Sequence, residues 1–163
     1  MQPIAYLNDS PEAMARLLTA LMAIDERIDD AEVEALSKLD AYARLSITPP
    51  RFADVLRAYF AAPSTGAPAA GGSVNLAAPI DHSQYTPLID CITEPARRAL
   101  LWDILVGLAR ADGELDDREA ALLRLIALRW WQGEVPARLR RIDVPLTARA
   151  MEAGQSALHA AAG

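Results

Sequence analysis

The chain predicts an all-α fold of about seven helices, organised as two helix–turn–helix repeats packed with pseudo-two-fold symmetry. Three observations lead there. Apolar residues recur at three- and four-residue spacing over much of the 163-residue sequence, which is the period of one helix face. The helical runs open on capping side chains, several followed by proline. Alternating patterns and β-branched runs, the marks of strands, are nearly absent.

The first helix has Ser10 as N-cap, Pro11 at its first position and Glu12 in its first turn, with Met14, Leu17, Leu18, Leu21 and Met22 as its inward stripe. A second is expected from Asp29 to about Leu45, with Val33, Leu36, Leu39 and Ala43 inward. Thr48 caps a third, Pro49 follows, and Phe52, Val55, Leu56 and Tyr59 form its stripe. Residues 61–80 are rich in Pro, Gly, Ala and Ser and read as a flexible loop. Neither flanking half is large enough to be comfortable alone, so 1–163 is expected to be one domain. After the loop, "TPLIDCI" is a short candidate helix. Thr93 then caps, and Pro95 opens, an apolar helix running into "GLARAD". "DDREAALLRLIALRWW" is apolar on most sides and is expected to be central and buried, with Gly133 and Pro136 stopping it. "PLTARAMEAGQSALHAAA" is a weaker closing helix.

Composition narrows the function classes. Hydrophobic residues make up 52% and charged residues 23%, a globular balance rather than a disordered one. No apolar run approaches the roughly 20 residues of a membrane span. "MQPIAYLNDSPEAM" lacks the basic start and apolar core of a signal peptide. Cys91 is the single cysteine, so a reducing cytoplasm is expected. The net charge of −6 argues against a nucleic-acid partner. The "RLRR" run at 138–141 is expected to be a solvated face.

Several chemistries fall away. His82 and His159 match neither a His-x-x-x-His nor a Glu-x-x-His spacing and are expected at the surface. Cys91, with no second cysteine or positioned histidine, is expected as a small core residue. Asp81, His82 and Ser83 are adjacent, which forbids triad geometry. Gly71–Ser73 lacks the strand and lysine of a phosphate loop. Of Trp130 and Trp131, at least one is expected in the core.

The acids are patterned. "LMAIDERIDDAEVEAL" (Leu21–Leu36) aligns without gaps to "LARADGELDDREAALL" (Leu108–Leu123), with six identities. Four are acidic pairs: Asp25 with Asp112, Asp29 with Asp116, Asp30 with Asp117, and Glu32 with Glu119. Such a repeat suggests two similar units about a pseudo-two-fold axis, with their acidic turns facing each other. A calcium loop fits only in its second half. With Glu119 at position 12, Asp116 falls at 9 and Gly113 at 6, but Leu108 and Arg110 fall at 1 and 3, where oxygen ligands are required. Leu21, Ala23 and Glu26 fail equally in the first copy.

Helix capping explains most of these acids without a ligand. Asp29-x-x-Glu32 and Asp116-x-x-Glu119 are capping boxes. Gly113 suits a left-handed helix end near Asp112, and Ile28 and Leu115 are expected to pack beneath the turns. Capping leaves Asp25 and Asp112 unexplained, because an acid at a helix C-terminus is electrostatically unfavourable.

"LARADGELDDREAALLRLIALRW" resembles the signature of the TerB-like family associated with tellurite resistance, carried here by Ala109, Ala111, Asp112, Gly113, Leu115, Asp116 and Glu119. "ALMAIDERIDDAEVEAL" looks like a degenerate copy, with Asp25, Ile28, Asp29 and Glu32 matching and Glu26 in place of glycine. The resemblance implies an all-helical, non-enzymatic cytoplasmic protein of tellurite or stress response with protein partners. It also implies a divalent cation (calcium, magnesium, manganese or zinc) held by Asp25, Asp29, Glu32, Asp112, Asp116 and Glu119. Related modules serve as interaction domains in co-chaperones, so the alternative is a scaffold whose acids only cap helices.

Overall fold

Several helices start where a capping side chain meets an apolar face, and a helix with only two charges takes the centre. The computed structural model describes residues 6–24, 28, 30–62, 80–111 and 115–139. These comprise α1 (Pro11–Met22), α2 (Asp30–Lys38), α3 (Ala41–Leu45), α4 (Pro49–Ala61), α5 (His82–Asp90), α6 (Pro95–Ala109) and α7 (Asp117–Trp131), then a single 3₁₀ turn at Ala137–Leu139. The described residues contain seven α-helices and no strand, as the sequence predicts. Residues 63–79 of the expected loop, the expected closing helix, His159, Arg140 and Arg141 lie outside the described residues.

Ser10 Oγ accepts a hydrogen bond from the Ala13 amide at 3.1 Å, which starts α1 with Pro11 in its first turn. Nine of the twelve α1 residues are buried, and the five predicted stripe residues are 1% exposed or less. Burying each such side chain stabilises the fold by about 1.5–3 kcal/mol. α3, α4, α5 and α6 pack against α1, and all seven helices contribute to one apolar cluster. α7 is less central than expected. Its Leu122, Leu123, Ile126 and Trp130 are buried, but Arg124, Leu128 and Arg129 are exposed, and its main neighbours are α5 and α6. Charge decides this: α1 carries only Glu12 and Arg16, whereas α7 carries three arginines that need water or a partner.

Three expected boundaries shift. The helix expected over 29–45 is two, because Asp40 adopts the left-handed conformation with φ 51° and ψ 35°, which short polar residues tolerate best. The break re-aims the inward face: Ala35, Leu36, Ala41 and Leu45 are buried, while Val33 and Ala43 are exposed. α5 begins earlier than "TPLIDCI" because Asp81 caps it, accepting from the Ser83 amide at 2.9 Å. Pro87 stands inside this helix despite its missing donor. Asp81-His82-Ser83 is therefore a helix start, with His82 exposed.

Thr93 does not cap α6. The N-cap is Glu94, which makes no side-chain cap bond. The Asp9 carboxylate, 84 residues earlier, instead holds the segment just before the helix, accepting from the amides of Thr93 at 2.8 Å and Glu94 at 3.0 Å, and from the Thr93 hydroxyl. The Asp9 amide donates to the Cys91 carbonyl at 2.9 Å. Cys91 itself is half-buried at the end of α5 rather than fully in the core. Trp130 is buried, its Nε1 donating to the Ile89 carbonyl, and half-buried Trp131 packs edge-on against both Trp130 and Trp102.

Desolvation pushes the Asp9 carboxyl upward, but the hydrogen bonds from Glu94 and Thr93 and the charge of Arg97 outweigh it and hold its pKa below the ordinary 3.8. A group with a lowered folded pKa stabilises the fold above its unfolded pKa, and the contribution is lost as pH falls through the folded value. Asp9→Ala, which removes these hydrogen bonds, is expected to cost about 1 kcal/mol at neutral pH. The gap in melting temperature between wild type and variant is expected to close as the pH is taken below 3.8.

Candidate cation site at the paired acidic turns

Two helix ends and two helix starts define the site, and the sequence repeat matches them position by position. α1 stops at Met22 and α6 at Ala109, which are aligned residues. The next residues have similar backbones: Ala23 at φ −90°, ψ 0° and Arg110 at φ −106°, ψ 1°. Ile24 N then donates to the Leu21 carbonyl at 3.2 Å, and Ala111 N to the Leu108 carbonyl at 2.9 Å. α2 and α7 begin at the aligned Asp30 and Asp117. Leu21, Leu36, Leu108 and Leu123 are all 3% exposed or less. The repeat is thus one of local structure, down to the bond that closes each first helix. The neighbours of the two units differ: α2 packs on α3 and α6, α7 on α5 and α6.

In the second turn, Asp116 is extended at φ −65°, ψ 150° and caps α7. Its Oδ1 accepts from the Arg118 amide at 2.7 Å, while its own amide donates to Glu119 Oε2 at 3.0 Å. The capping box is complete, and both acids sit at the positive end of the helix dipole. The neighbouring Arg118 charge reaches Tyr85 on α5, where it opposes the burial that raises the tyrosine pKa. Leu115 is half-buried against the core, as expected. Its counterpart Ile28 is 36% exposed, contrary to expectation. α2 buries only Ala35 and Leu36, so it offers Ile28 little apolar surface. Glu32 is half-buried in the first turn of α2.

Of the six candidate ligands, Glu32, Asp116 and Glu119 are described. Asp25, Asp29 and Asp112 lie outside the described residues, as do Glu26 and Gly113. Among the described residues, no three His, Cys, Asp or Glu side chains converge to hold a metal. Leu108 is 3% exposed and Arg110 lies at the helix end, so neither offers a calcium loop its first oxygens.

What the structure brings together is the approach to the two turns. α2 packs on α6, and a shallow groove between them is lined by Ala31, Glu34, Ala35, Lys38 and Leu39 on one side and Gly107 and Ala111 on the other. Ala31 directly precedes Glu32, and Ala111 directly precedes Asp112. Of the small residues here, sequence reasoning singles out Ala111 alone, through the family resemblance. The other signal is Gly107, an isolated glycine within an apolar helix, which commonly has a packing reason.

Among the described residues, seven helices and no strand share one apolar core, which defines an all-α helical module. Residues 11–129 match the family model described as tellurite resistance protein TerB, and the chain belongs to that family. No curated protein and no solved structure is significantly similar to it. Among the described residues, no helix is long and apolar enough to cross a membrane.

Asp116→Ala is expected to destabilise the protein by about 1 kcal/mol, with Asp116→Ser recovering most of the loss. Denaturant unfolding in the presence of a chelator measures this cap by itself.

Proposed function

We propose that this protein is a non-enzymatic cytoplasmic member of the tellurite-resistance or stress-response machinery, binding a divalent cation through its paired acidic turns. The ligand set is Asp25, Asp29, Glu32, Asp112, Asp116 and Glu119. The observation that carries the reading is the groove shared by Ala31 and Ala111, which brings the start of α2 beside the end of α6. Acids gathered from both turns would repel one another, and a hard cation with oxygen ligands would relieve that repulsion. Capping does not compete with ligation outright, because an ionised carboxylate has two oxygens and accepts at both. The donor set suits calcium, magnesium or manganese by its oxygens, and zinc also accepts carboxylates. No nucleophile, histidine or cofactor motif accompanies the acids, so the cation is read as structural or regulatory. Protein partners in a stress-response complex are the expected readers of the loaded state.

The complete capping box at Asp116 and Glu119 favours a second reading. There the acids only cap helices, and the protein is an interaction scaffold. The readings separate on ligand linkage, since a ligand that binds the folded state alone raises its stability with concentration. Calorimetric titration with calcium, magnesium, manganese and zinc is expected to show binding by at least one cation, accompanied by a rise in melting temperature. The Asp25→Asn/Asp112→Asn variant is expected to lose both effects. Absence of heat with all four cations leaves the scaffold.

A further inference from the structure

We infer that the open face of α7 is a docking surface for a second copy of this chain, the two α7 helices meeting antiparallel about a two-fold axis at Ala121. Seven of the fifteen α7 residues are buried against the rest of the fold. Arg129 pairs with Asp90 of α5 on one flank, and Trp131 packs on Trp102 of α6 on the other. Between the flanks runs one exposed or half-buried row: Asp117, Ala121, Arg124, Leu128 and Trp131. Its spacing is 4, 3, 4 and 3 residues, the repeat of a helix seam that receives another helix. Leu128, inside that seam, is 58% exposed.

The charges of the row select its occupant. Asp117 and Arg124 stand two helical turns apart, about 10 Å along the axis, and neither makes a hydrogen bond or ion pair among the described residues. Antiparallel pairing about Ala121 sets Asp117 beside Arg124 of the second copy, and Arg124 beside that copy's Asp117. The row is thus its own complement, which is the condition for a two-fold interface. Parallel pairing in register would set like charge against like charge instead. Ala121 has the smallest side chain of the row and lies where the two backbones come closest. Leu128 then passes beyond the second copy's Asp117 toward its Leu115, which is half-buried. A seam of fifteen residues is only about 22 Å long, and one helix pair of that length falls short of the roughly 1,200 Å² that stable complexes bury. The dimer is therefore a weak one, populated at high protein concentration.

Sedimentation equilibrium of the full chain from about 10 µM to about 1 mM brackets such an association. A reducing buffer keeps Cys91 from forming an intermolecular disulfide. Wild type is expected to pass from monomer toward dimer over that range. Asp117→Arg and Arg124→Asp each bring like charges together at both ends of the seam, and each alone is expected to weaken association about tenfold or more. An equimolar mixture of the two variants restores opposite charges at both ends and is expected to dimerise as wild type does. Leu128→Glu is expected to remain monomeric, with wild-type circular dichroism. A wild type that stays monomeric at the highest concentration overturns the inference. So does a dimer that the single variants leave unchanged, or a mixture of folded variants that fails to recover. If Asp117→Arg does not fold, Arg124→Asp and Leu128→Glu decide: loss of the dimer in both supports the inference, and a dimer that survives either overturns it.

Discussion

A twelve-residue helix carrying only two charges must be enclosed, and the enclosure of α1 governs the rest of this fold. α3, α4, α5 and α6 pack against it. They arrive from both sides of the expected loop, so the two halves of the chain complete one core rather than two. Surface ion pairs then join the surrounding helices: Arg51 to Glu12 at 3.1 Å, Arg44 to Asp103 at 2.8 Å, and Arg129 to Asp90. Each contributes at most about 1 kcal/mol, which is small beside the burial of a single α1 leucine. The ion pairs fix orientation more than they supply stability.

Local chemistry was readable from the sequence, and distant chemistry was not. Ser10, Thr48 and Asp116 cap the helices that begin beside them, because an N-cap reaches an amide only two or three residues on. Thr93 misled because its hydroxyl is engaged by Asp9, 84 residues away in the chain, and α6 has Glu94 as N-cap with no side-chain cap bond. Asp40 breaks a helix that the apolar spacing alone would continue, and the helix expected at "TPLIDCI" starts earlier, at His82, with Pro87 inside it. The repeat was plain in the acids, and its structural meaning is the matched closure of α1 and α6. The groove between α2 and α6 was legible only at Ala111. Ala31, Ala35 and Gly107, small residues in its lining, carry no periodic signal of their own.

On the cation reading proposed above, the acids of the second turn would serve stability and binding together. Asp116 and Glu119 each use an oxygen on backbone amides at the start of α7, which fixes their positions before any ligand arrives. Preorganised carboxylates lose little freedom on meeting a cation. The same bonds make the acids costly to remove whatever else they do, so a loss of function on mutation is informative only beside a measurement of folding.

The Asp9 tie has a bearing on biosynthesis. Its partners lie 84 residues downstream, and α1 follows it directly in the chain. On the ribosome, α1 is therefore made while most of its covering helices, and the amides that anchor its leading segment, are still untranslated. At a synthesis rate of about 5–20 residues per second, that exposed interval lasts several seconds. Until then α1 exposes to water the apolar face that the finished protein encloses.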